Sequence, residues 1–221
     1  MRKRLVSCFH SLKLSFLSNL LYRLWGCNFK IQKGNDFSLG LSVFLKCRFN
    51  ITGQNNKINI KDDSFIEYSN IKIRGNNNTL IIENNAYANE LRITIENDNN
   101  FIYIGENFFV CGNTHLCVVD GSKMTFGNGC MLSDNIEIRT TDNHAIYDIE
   151  SGERINPEQD INIGEHVWIG MGATILKGVS IADGCIIGAK SIITKSIDEN
   201  NCCVVGYSKI VRRNVKWTMP R

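Results

Sequence analysis

The sequence predicts an all-β fold, a parallel β-helix, from three observations. In residues 163–196 an isoleucine recurs at every sixth position, with glycine or another small residue between. A period of six fits neither the 3.6 residues per turn of an α-helix nor the two-residue alternation of an ordinary strand. Upstream, polar clusters recur every 22 residues, and they are rich in asparagine, which tolerates the positive φ of tight corners. Short strands that turn tight corners and stack coil on coil explain all three observations.

Residues 1–35 are predicted to form an N-terminal amphipathic helical segment. Its apolar side would hold Leu5, Phe9, Leu12, Phe16 and Leu20. The segment is too polar to span a bilayer and lacks the cleavage site of a signal peptide. Two alternatives remain open: the helix packs on the β-helix or on a neighbouring subunit, or residues 1–30 contact the inner membrane surface. The chain is therefore expected in the cytoplasm, either free or peripheral to the inner membrane.

Residues 36–206 are predicted to form the β-helix domain. Its first half repeats in residues 53–60, 75–82 and 97–104, which begin 22 residues apart. We interpret each unit as a coil of about 18 residues with about four more that loop out. Ile60, Ile82, Ile104 and Phe126 should then stack in one column, and the asparagine clusters should form corners.

The second half of the domain follows the six-residue step. Its isoleucines are Ile163, Ile169, Ile175, Ile181, Ile187 and Ile193. Between the halves the step passes Leu132 and Ile138 and reaches His144, where residues 141–162 break the pattern. A polar excursion of about fifteen residues from a regular coil is a common place for a functional site. After the last hexad, one further strand is predicted at residues 202–205, and residues 207–221 are expected to form a short C-terminal tail.

Composition limits the possible functions. The chain has 221 residues, 43% hydrophobic and 21% charged, which is typical of one domain with appendages. Its nine cysteines include no CxxC pair, which indicates buried thiols in a reducing compartment rather than disulfides or a zinc site. We expect neither a metal cofactor nor a nucleic-acid partner, since metal-ligand spacing, a Walker sequence and a dinucleotide fingerprint are all missing. Both ends of the chain are basic and suit an anionic partner.

The motifs VWIG and GAKS in the hexads, and EIRTTDNHAIYDIESGERIN before them, carry a family resemblance. Residues 50–217 resemble the hexapeptide-repeat acyltransferases, and in particular the bacterial capsule polysaccharide O-acetyltransferases. The resemblance implies a left-handed parallel β-helix with three hexapeptides per coil, and a homotrimer whose active sites are shared between subunits. It also implies acetyl-CoA as co-substrate and a polysaccharide or other sugar hydroxyl as acceptor.

The resemblance assigns the catalytic base to His144, because the family's base stands at this spacing before VWIG. A neutral imidazole can take the proton of the sugar hydroxyl as it attacks the thioester, and can then protonate the leaving thiolate. Trp168, 24 residues later, is the second catalytic candidate, as a wall or hydrogen-bond donor, although it could simply fill a coil corner. A backbone N–H near Gly170 or Met171 is expected to stabilise the oxyanion.

Acceptor contacts are expected from three polar residues. Asp142 and Asn143 directly precede His144, and either Asp142 or a backbone carbonyl would orient the ring. Asn113 resembles the family's acceptor-binding asparagine, but a buried asparagine ladder explains it equally well. Arg154 could reach an anionic sugar or could be an ordinary surface residue.

By the same resemblance, acetyl-CoA lies along the groove between adjacent β-helices. The expected contacts are Gly170, Met171, Ala189, Lys190, Thr194, Lys195, Lys209 and Arg212. Met171 and Ala189 are 18 residues apart and should stack, while the cations suit the phosphates of CoA. The alternative for Lys209 and Arg212 is a solvated basic tail.

The leading hypothesis is an acetyl-CoA-dependent O-acetyltransferase that modifies a bacterial capsular or other surface polysaccharide. A small-molecule acetyltransferase, acting on an antibiotic, serine or an amino sugar, is the second. The third is a non-catalytic β-helix scaffold, which would need neither the pair of His144 and Trp168 nor the motif of Thr194 and Lys195.

Overall fold

The structure, a computed structural model, describes residues 25–218, and this part of the chain contains strands, turns and corners but no helix. Its strands are β1 (Asn28–Ile31), β2 (Asp36–Leu39), β3 (Val43–Leu45), β4 (Arg48–Thr52), β5 (Lys57–Ile60), β6 (Phe65–Glu67), β7 (Asn70–Arg74), β8 (Thr79–Ile82), β9 (Tyr87–Asn89), β10 (Leu91–Glu96), β11 (Phe101–Ile104), β12 (Phe109–Val110), β13 (Thr114–Val119), β14 (Lys123–Phe126), β15 (Met131–Leu132), β16 (Ile136–Arg139), β17 (Ile161–Ile163), β18 (Trp168–Ile169), β19 (Thr174–Ile175), β20 (Ser180–Ile181), β21 (Ile186–Ile187), β22 (Ile192–Ile193), β23 (Cys203–Val205) and β24 (Lys209–Arg212).

Successive strands enter three parallel sheets in turn. Sheet A takes β1 and every third strand to β22, and sheet B takes β2 and every third strand to β20. Sheet C takes β3 and every third strand to β21, then β23, with β24 added antiparallel at its end. We name the corners after the sheets they join: A–B, B–C and C–A. The prediction of an all-β parallel β-helix is confirmed.

The core is a narrow column of side chains that point inward from all three sheets. Ile60, Ile82, Ile104 and Phe126 are direct neighbours in sheet B, as predicted, and the column continues through Ile163. All six isoleucines of the hexad run are at most 3% exposed. The six-residue step therefore does fix which side chains enter the core.

The 22-residue coils are built differently from the prediction. In the coil that starts with β4, the strands of sheets A, B and C and the next strand of sheet A begin nine, eight and five residues apart. In the coil that starts with β19 all three steps are six. The extra residues therefore do not loop out from a short coil. They lengthen the strands and corners of sheets A and B, and the prediction of four looped-out residues is wrong.

The asparagine clusters form the A–B corners, as predicted. Asn55, Asn77 and Asn99 adopt left-handed φ values of 57°, 56° and 61°. The asparagine after each of these is buried, and its side chain links one coil to the next. Asn78 shows the pattern, since its Oδ1 accepts the backbone N–H of Asn100 at 2.9 Å and its own N–H donates to the side chain of Asn56 at 3.0 Å.

The two ends of the β-helix differ from the expected boundaries. Strand β1 begins at Asn28, so residues 28–35 belong to the first coil and are not helical, which corrects the boundary at residue 36. The rest of the expected N-terminal helix, residues 1–24, lies outside the described residues. No helix in residues 25–218 is long and apolar enough to cross a membrane. At the other end β23 is the further strand predicted at residues 202–205, and β24 turns back on it.

Candidate active site

The predicted excursion leaves the β-helix at one A–B corner. Phe126 pairs with Ile163, 37 residues later, whereas Ile104 pairs with Phe126 at the usual 22. The fifteen additional residues follow β16 and form a small exposed hairpin, in which Tyr147 bridges Arg154 and the N–H of Ile155 donates to the carbonyl of Ile146 at 2.9 Å.

Asn156 is the centre of this excursion. Its side chain is 9% exposed, and its amide N–H₂ donates to the backbone carbonyl of His144 and to Oδ2 of Asp142, both at 2.9 Å. Its Oδ1 accepts the backbone N–H of Ile146 at 2.6 Å. One buried side chain thus holds the main chain on both sides of residue 145, so the backbone of His144 is fixed while its ring is exposed.

Lys177 anchors the same loop from the A–B corner of the next coil. Its Nζ lies 2.6 Å from Oδ2 of Asp142 and 2.9 Å from the carbonyl oxygen of Asn156. Hydrogen bonds from Lys177 and then Asn156 lower the pKa of Asp142, so the carboxylate is ionised at neutral pH. Asp142 is therefore engaged with the loop anchor. Within residues 25–218 no group hydrogen-bonds to the ring of His144.

The structure also shows the contacts of two other polar residues of the excursion, Asn143 and Arg154. Asn143 is exposed with φ of 69°, and its backbone N–H donates to Oγ1 of Thr141 at 2.9 Å. Arg154 forms an ion pair with Glu158 at 2.7 Å. Asn143 thus has its side chain open toward solvent, whereas Arg154 already has a partner within the loop.

Trp168 lies in β18, on the outward face of sheet C. Its indole N–H donates to Oγ of Ser133 at 3.2 Å, and its ring lies 6.1 Å from that of Trp217 in the C-terminal tail. Trp217 stacks on His166 with ring centres 4.0 Å apart, and its indole N–H donates to the carbonyl of His166 at 2.8 Å. Because the tail folds back here, Trp168 is half-buried within its own chain.

One chain does not bring the two catalytic candidates together. The His144 excursion contacts residues of the A–B corner, among them Lys177 and Thr140. Sheet C, which bears Trp168, joins the two other corners. In a coil with three sides, the A–B corner and sheet C face in opposite directions.

The predicted donor-site residues fall into two groups in each chain. Gly170, Met171, Ala189 and Lys190 stack at the C–A corner, where the N–H of Lys190 donates to the carbonyl of Met171 at 2.8 Å. Asn113 lies at the same corner in an earlier coil, exposed, with its Nδ2 3.4 Å from Oδ1 of Asn135.

The second group belongs to the A–B corner and the terminal hairpin. The backbone N–H groups of Thr194 and Lys195 donate to Oγ of Ser208 at 2.9 and 3.2 Å, in the corner two coils beyond the His144 excursion. Lys209 and Arg212 lie in β24 and are exposed. Lys195, Lys209 and Arg212 have no ion-pair partner in the part of the chain that the structure describes.

Four residues that contact the candidate site residues were not predicted from the sequence: Lys177, Asn156, Ser133 and Trp217. Lys177 meets Asp142 across 35 residues, and Trp217 meets His166 across 51. No periodicity links such partners, because the contacts form only when an excursion or a tail folds back on a coil. His115, by contrast, is half-buried in sheet A between Thr94 and Glu137, away from the excursion.

The comparisons with known proteins agree with this architecture. Residues 160–195 match the family of bacterial transferase hexapeptides (six repeats). Over 67 residues the chain is 49% identical to a polysialic acid O-acetyltransferase of Neisseria meningitidis, covering 30% of this chain and 31% of that relative. The aligned stretch thus spans under a third of the curated relative's length.

Two solved structures resemble nearly the whole chain. The polysialic acid O-acetyltransferase OatWY is 32% identical, with a TM-score of 0.78 and 89% of each chain covered. The polySia specific acetyltransferase NeuO is 31% identical, with a TM-score of 0.73 over 88% of this chain and 90% of that one.

Proposed function

This chain belongs to the hexapeptide-repeat family of bacterial transferases, and from that premise we propose that it is an acetyl-CoA-dependent O-acetyltransferase. The proposed acceptor is a hydroxyl of a capsular polysaccharide that contains sialic acid. The observation that carries the proposal is the similarity, over nearly the whole chain, to two solved polysialic acid O-acetyltransferases. The left-handed winding of the coils is part of the same proposal.

His144 is the proposed general base. Its backbone is held by Asn156, while its exposed ring is free to take the proton of the attacking hydroxyl. The imidazolium then gives this proton to the leaving thiolate, so the acetyl group passes directly to the sugar and no acyl-enzyme is needed. Trp168 would supply a wall of the acyl site. Its indole N–H already donates to Ser133, which favours the wall over the donor role.

The proposed active form is a homotrimer in which each site lies between two copies. One copy would present the A–B corner with His144, Thr194 and Lys195, and the next would present Met171, Ala189 and Trp168. The opposite placement of His144 and Trp168 in one chain supports this arrangement. Exposed cations without ion-pair partners among residues 25–218, such as Lys195 and Arg212, suit the phosphates of CoA.

The outward face of sheet C supports the same trimer. Half-buried apolar side chains form one continuous column on it: Val43, Phe65, Tyr87, Phe109, Met131 and Trp168. The rings of Tyr87 and Phe109 stack at 4.8 Å. Apolar surface of this extent is typical of contacts between protein chains.

Replacement of His144 tests the mechanism. With acetyl-CoA and polysialic acid as substrates, we expect His144→Ala to lower kcat for thiol release by about 10²–10⁴-fold, the usual contribution of a general base. The KM for acetyl-CoA should stay the same, because the donor contacts expected at this corner, Thr194 and Lys195, lie two coils beyond His144.

Ile149→Ala is the matched control, since Ile149 lies in the same excursion and is 99% exposed. It should retain wild-type rates. Full activity of His144→Ala would refute the role of His144, and a wild-type enzyme inactive on every sialic-acid polymer would refute the proposed acceptor.

A further inference from the structure

The outward face of sheet A has a regular arrangement of cations in its first four coils. Side chains in these strands alternate between the core and the outside. The outward positions include Lys30 in β1, Arg48 in β4, Lys72 in β7 and Arg92 in β10. Each of the four strands thus contributes one cation near its start or middle, and β7 has a second, Arg74, at its end.

The strand register sorts these cations into two neighbouring columns. In one column Arg48 and Arg92 lie on either side of Asn70, and in the other Lys30 and Lys72 lie on either side of Asn50. The cations therefore alternate between the columns from coil to coil, and an amide separates each pair within a column.

Three of these four cations are available to bind an anionic ligand. Lys30, Arg48 and Arg92 are exposed and have no ion-pair partner within residues 25–218. Glu96 is the acid among the outward positions of these four strands, and it pairs loosely with Lys72 at 3.5 Å and Arg74 at 3.8 Å. Such exposed pairs are weak and readily exchange partners.

The spacing suits a repeating anionic chain. Neighbouring strands in a sheet are about 4.8 Å apart, so cations of one column are separated by roughly 9.6 Å, with an amide halfway between them. A polysaccharide with a carboxylate on its sugars offers the matching groups, carboxylates for the cations and hydroxyls for the amides. The outward column of sheet C is apolar instead, so the cation columns distinguish the outward face of sheet A from that of sheet C.

This face leads directly to the candidate active site. Sheet A continues through β13 to β16, where Arg139 is paired with Glu137 at 2.7 Å. The excursion that bears His144 begins directly after β16. A chain lying on the outward face of sheet A can therefore reach the excursion without crossing another sheet.

We infer that the outward face of sheet A binds the acceptor as an extended anionic polysaccharide and delivers it toward His144. The inference rests on the proposed function for the identity of the acceptor. It adds a second contact region, several coils away from the acetyl transfer, that long acceptors reach and short ones do not.

The triple substitution of Lys30, Arg48 and Arg92 by glutamine tests the inference. With long polysialic acid as acceptor, we expect its KM to rise by about tenfold, the combined effect of three exposed charge contacts. The kcat, the KM for acetyl-CoA and the kinetics with a sialic acid trisaccharide should stay unchanged. In the wild-type enzyme, added salt should raise the KM for the long polymer toward that of the triple variant.

The matched control substitutes glutamine for Lys57, Lys123 and Lys216, which are exposed cations on sheet B and the C-terminal tail. The loss of charge is the same, so an equal rise in KM would mean general attraction and would overturn the inference. An unchanged KM in the test variant would overturn it as well.

Equilibrium binding of long polysialic acid, measured calorimetrically in the His144→Ala background, separates this inference from the proposed function. Binding that weakens about tenfold with the sheet A substitutions, and not with the control set, supports the site even if no transfer is seen. Equal affinity in all three proteins contradicts it.

Discussion

At the scale of single residues, the position of His144 depends on side chains that lie far from it in sequence. Lys177 binds both Asp142 and the carbonyl of Asn156, and Asn156 in turn holds the carbonyl of His144. We expect Lys177→Met to lower kcat by about 10- to 100-fold, because a shift of about 1 Å in a catalytic group can cost this much. The KM for acetyl-CoA should change little, and steady-state kinetics with both substrates would measure the two effects.

Two variants make that result specific to the loop. Lys177→Arg keeps a cation and hydrogen-bond donors at the same place and should recover most of the rate. Lys57→Met removes an exposed lysine on sheet B and should have no effect. A wild-type kcat in Lys177→Met, or an equal loss in Lys57→Met, would show that the loop does not need this anchor.

The sequence was sufficient to single out His144 and Trp168 as candidates, because each has a fixed relation to the hexad motifs. It was not sufficient for Lys177 or Trp217. In a regular coil the neighbours of a residue lie 18 or 22 positions away, but Lys177 reaches Asp142 over 35 positions. That separation is set by the length and folding of the excursion, which follow no repeat.

At the scale of the coil, the 22-residue repeat predicted the positions of the corners correctly and the lengths of the strands incorrectly. Asparagine clusters marked the A–B corners because few other residues adopt left-handed φ. The assumption of short strands failed in Asn70–Arg74 and Leu91–Glu96, which alternate in and out over five and six residues. Those alternating runs were visible in the sequence and indicate strands longer than two residues.

The buried asparagines of the A–B corner make a prediction about stability. Asn78 is completely buried, and its Oδ1 accepts the backbone N–H of Asn100 while its Nδ2 donates to the carbonyl of Asn97 at 2.9 Å. Asn78→Ala would leave the buried backbone N–H of Asn100 unpaired, at about 1–3 kcal/mol, and would remove one of the donors to the carbonyl of Asn97. We expect the free energy of unfolding to fall by about 3 kcal/mol, as measured by denaturant titration.

Asn59→Ala is the comparison, because Asn59 is a half-buried asparagine on the outward face of sheet B in the coil before. Its substitution should change the free energy of unfolding by under about 0.5 kcal/mol. If the two variants were equally stable, the asparagine ladder would not contribute to holding the coils together.

At the scale of the whole molecule, two faces and one corner of the β-helix have three different characters. Sheet A is basic in its first four coils, sheet C has an apolar column, and the A–B corner bears the His144 excursion. We propose a different partner for each of these surfaces: an anionic acceptor, another copy of the chain, and the reacting groups. None of these surfaces completes the proposed site within one chain, since Trp168 and His144 face in opposite directions.

That arrangement predicts complementation between two inactive variants. His144→Ala and Trp168→Ala should each be inactive alone, because every site between identical copies lacks one of the two side chains. When the two are co-expressed, some interfaces join an intact His144 to an intact Trp168. Random mixing in a cyclic trimer should restore about a quarter of the wild-type rate, because one interface in four then has both residues.

Co-expression of His144→Ala with a chain that carries both substitutions is the control and should remain inactive. Light scattering on the same samples should give the mass of three chains. Trimers without recovered activity would mean that His144 and Trp168 do not act in one shared site, and active monomers would rule out a site between copies.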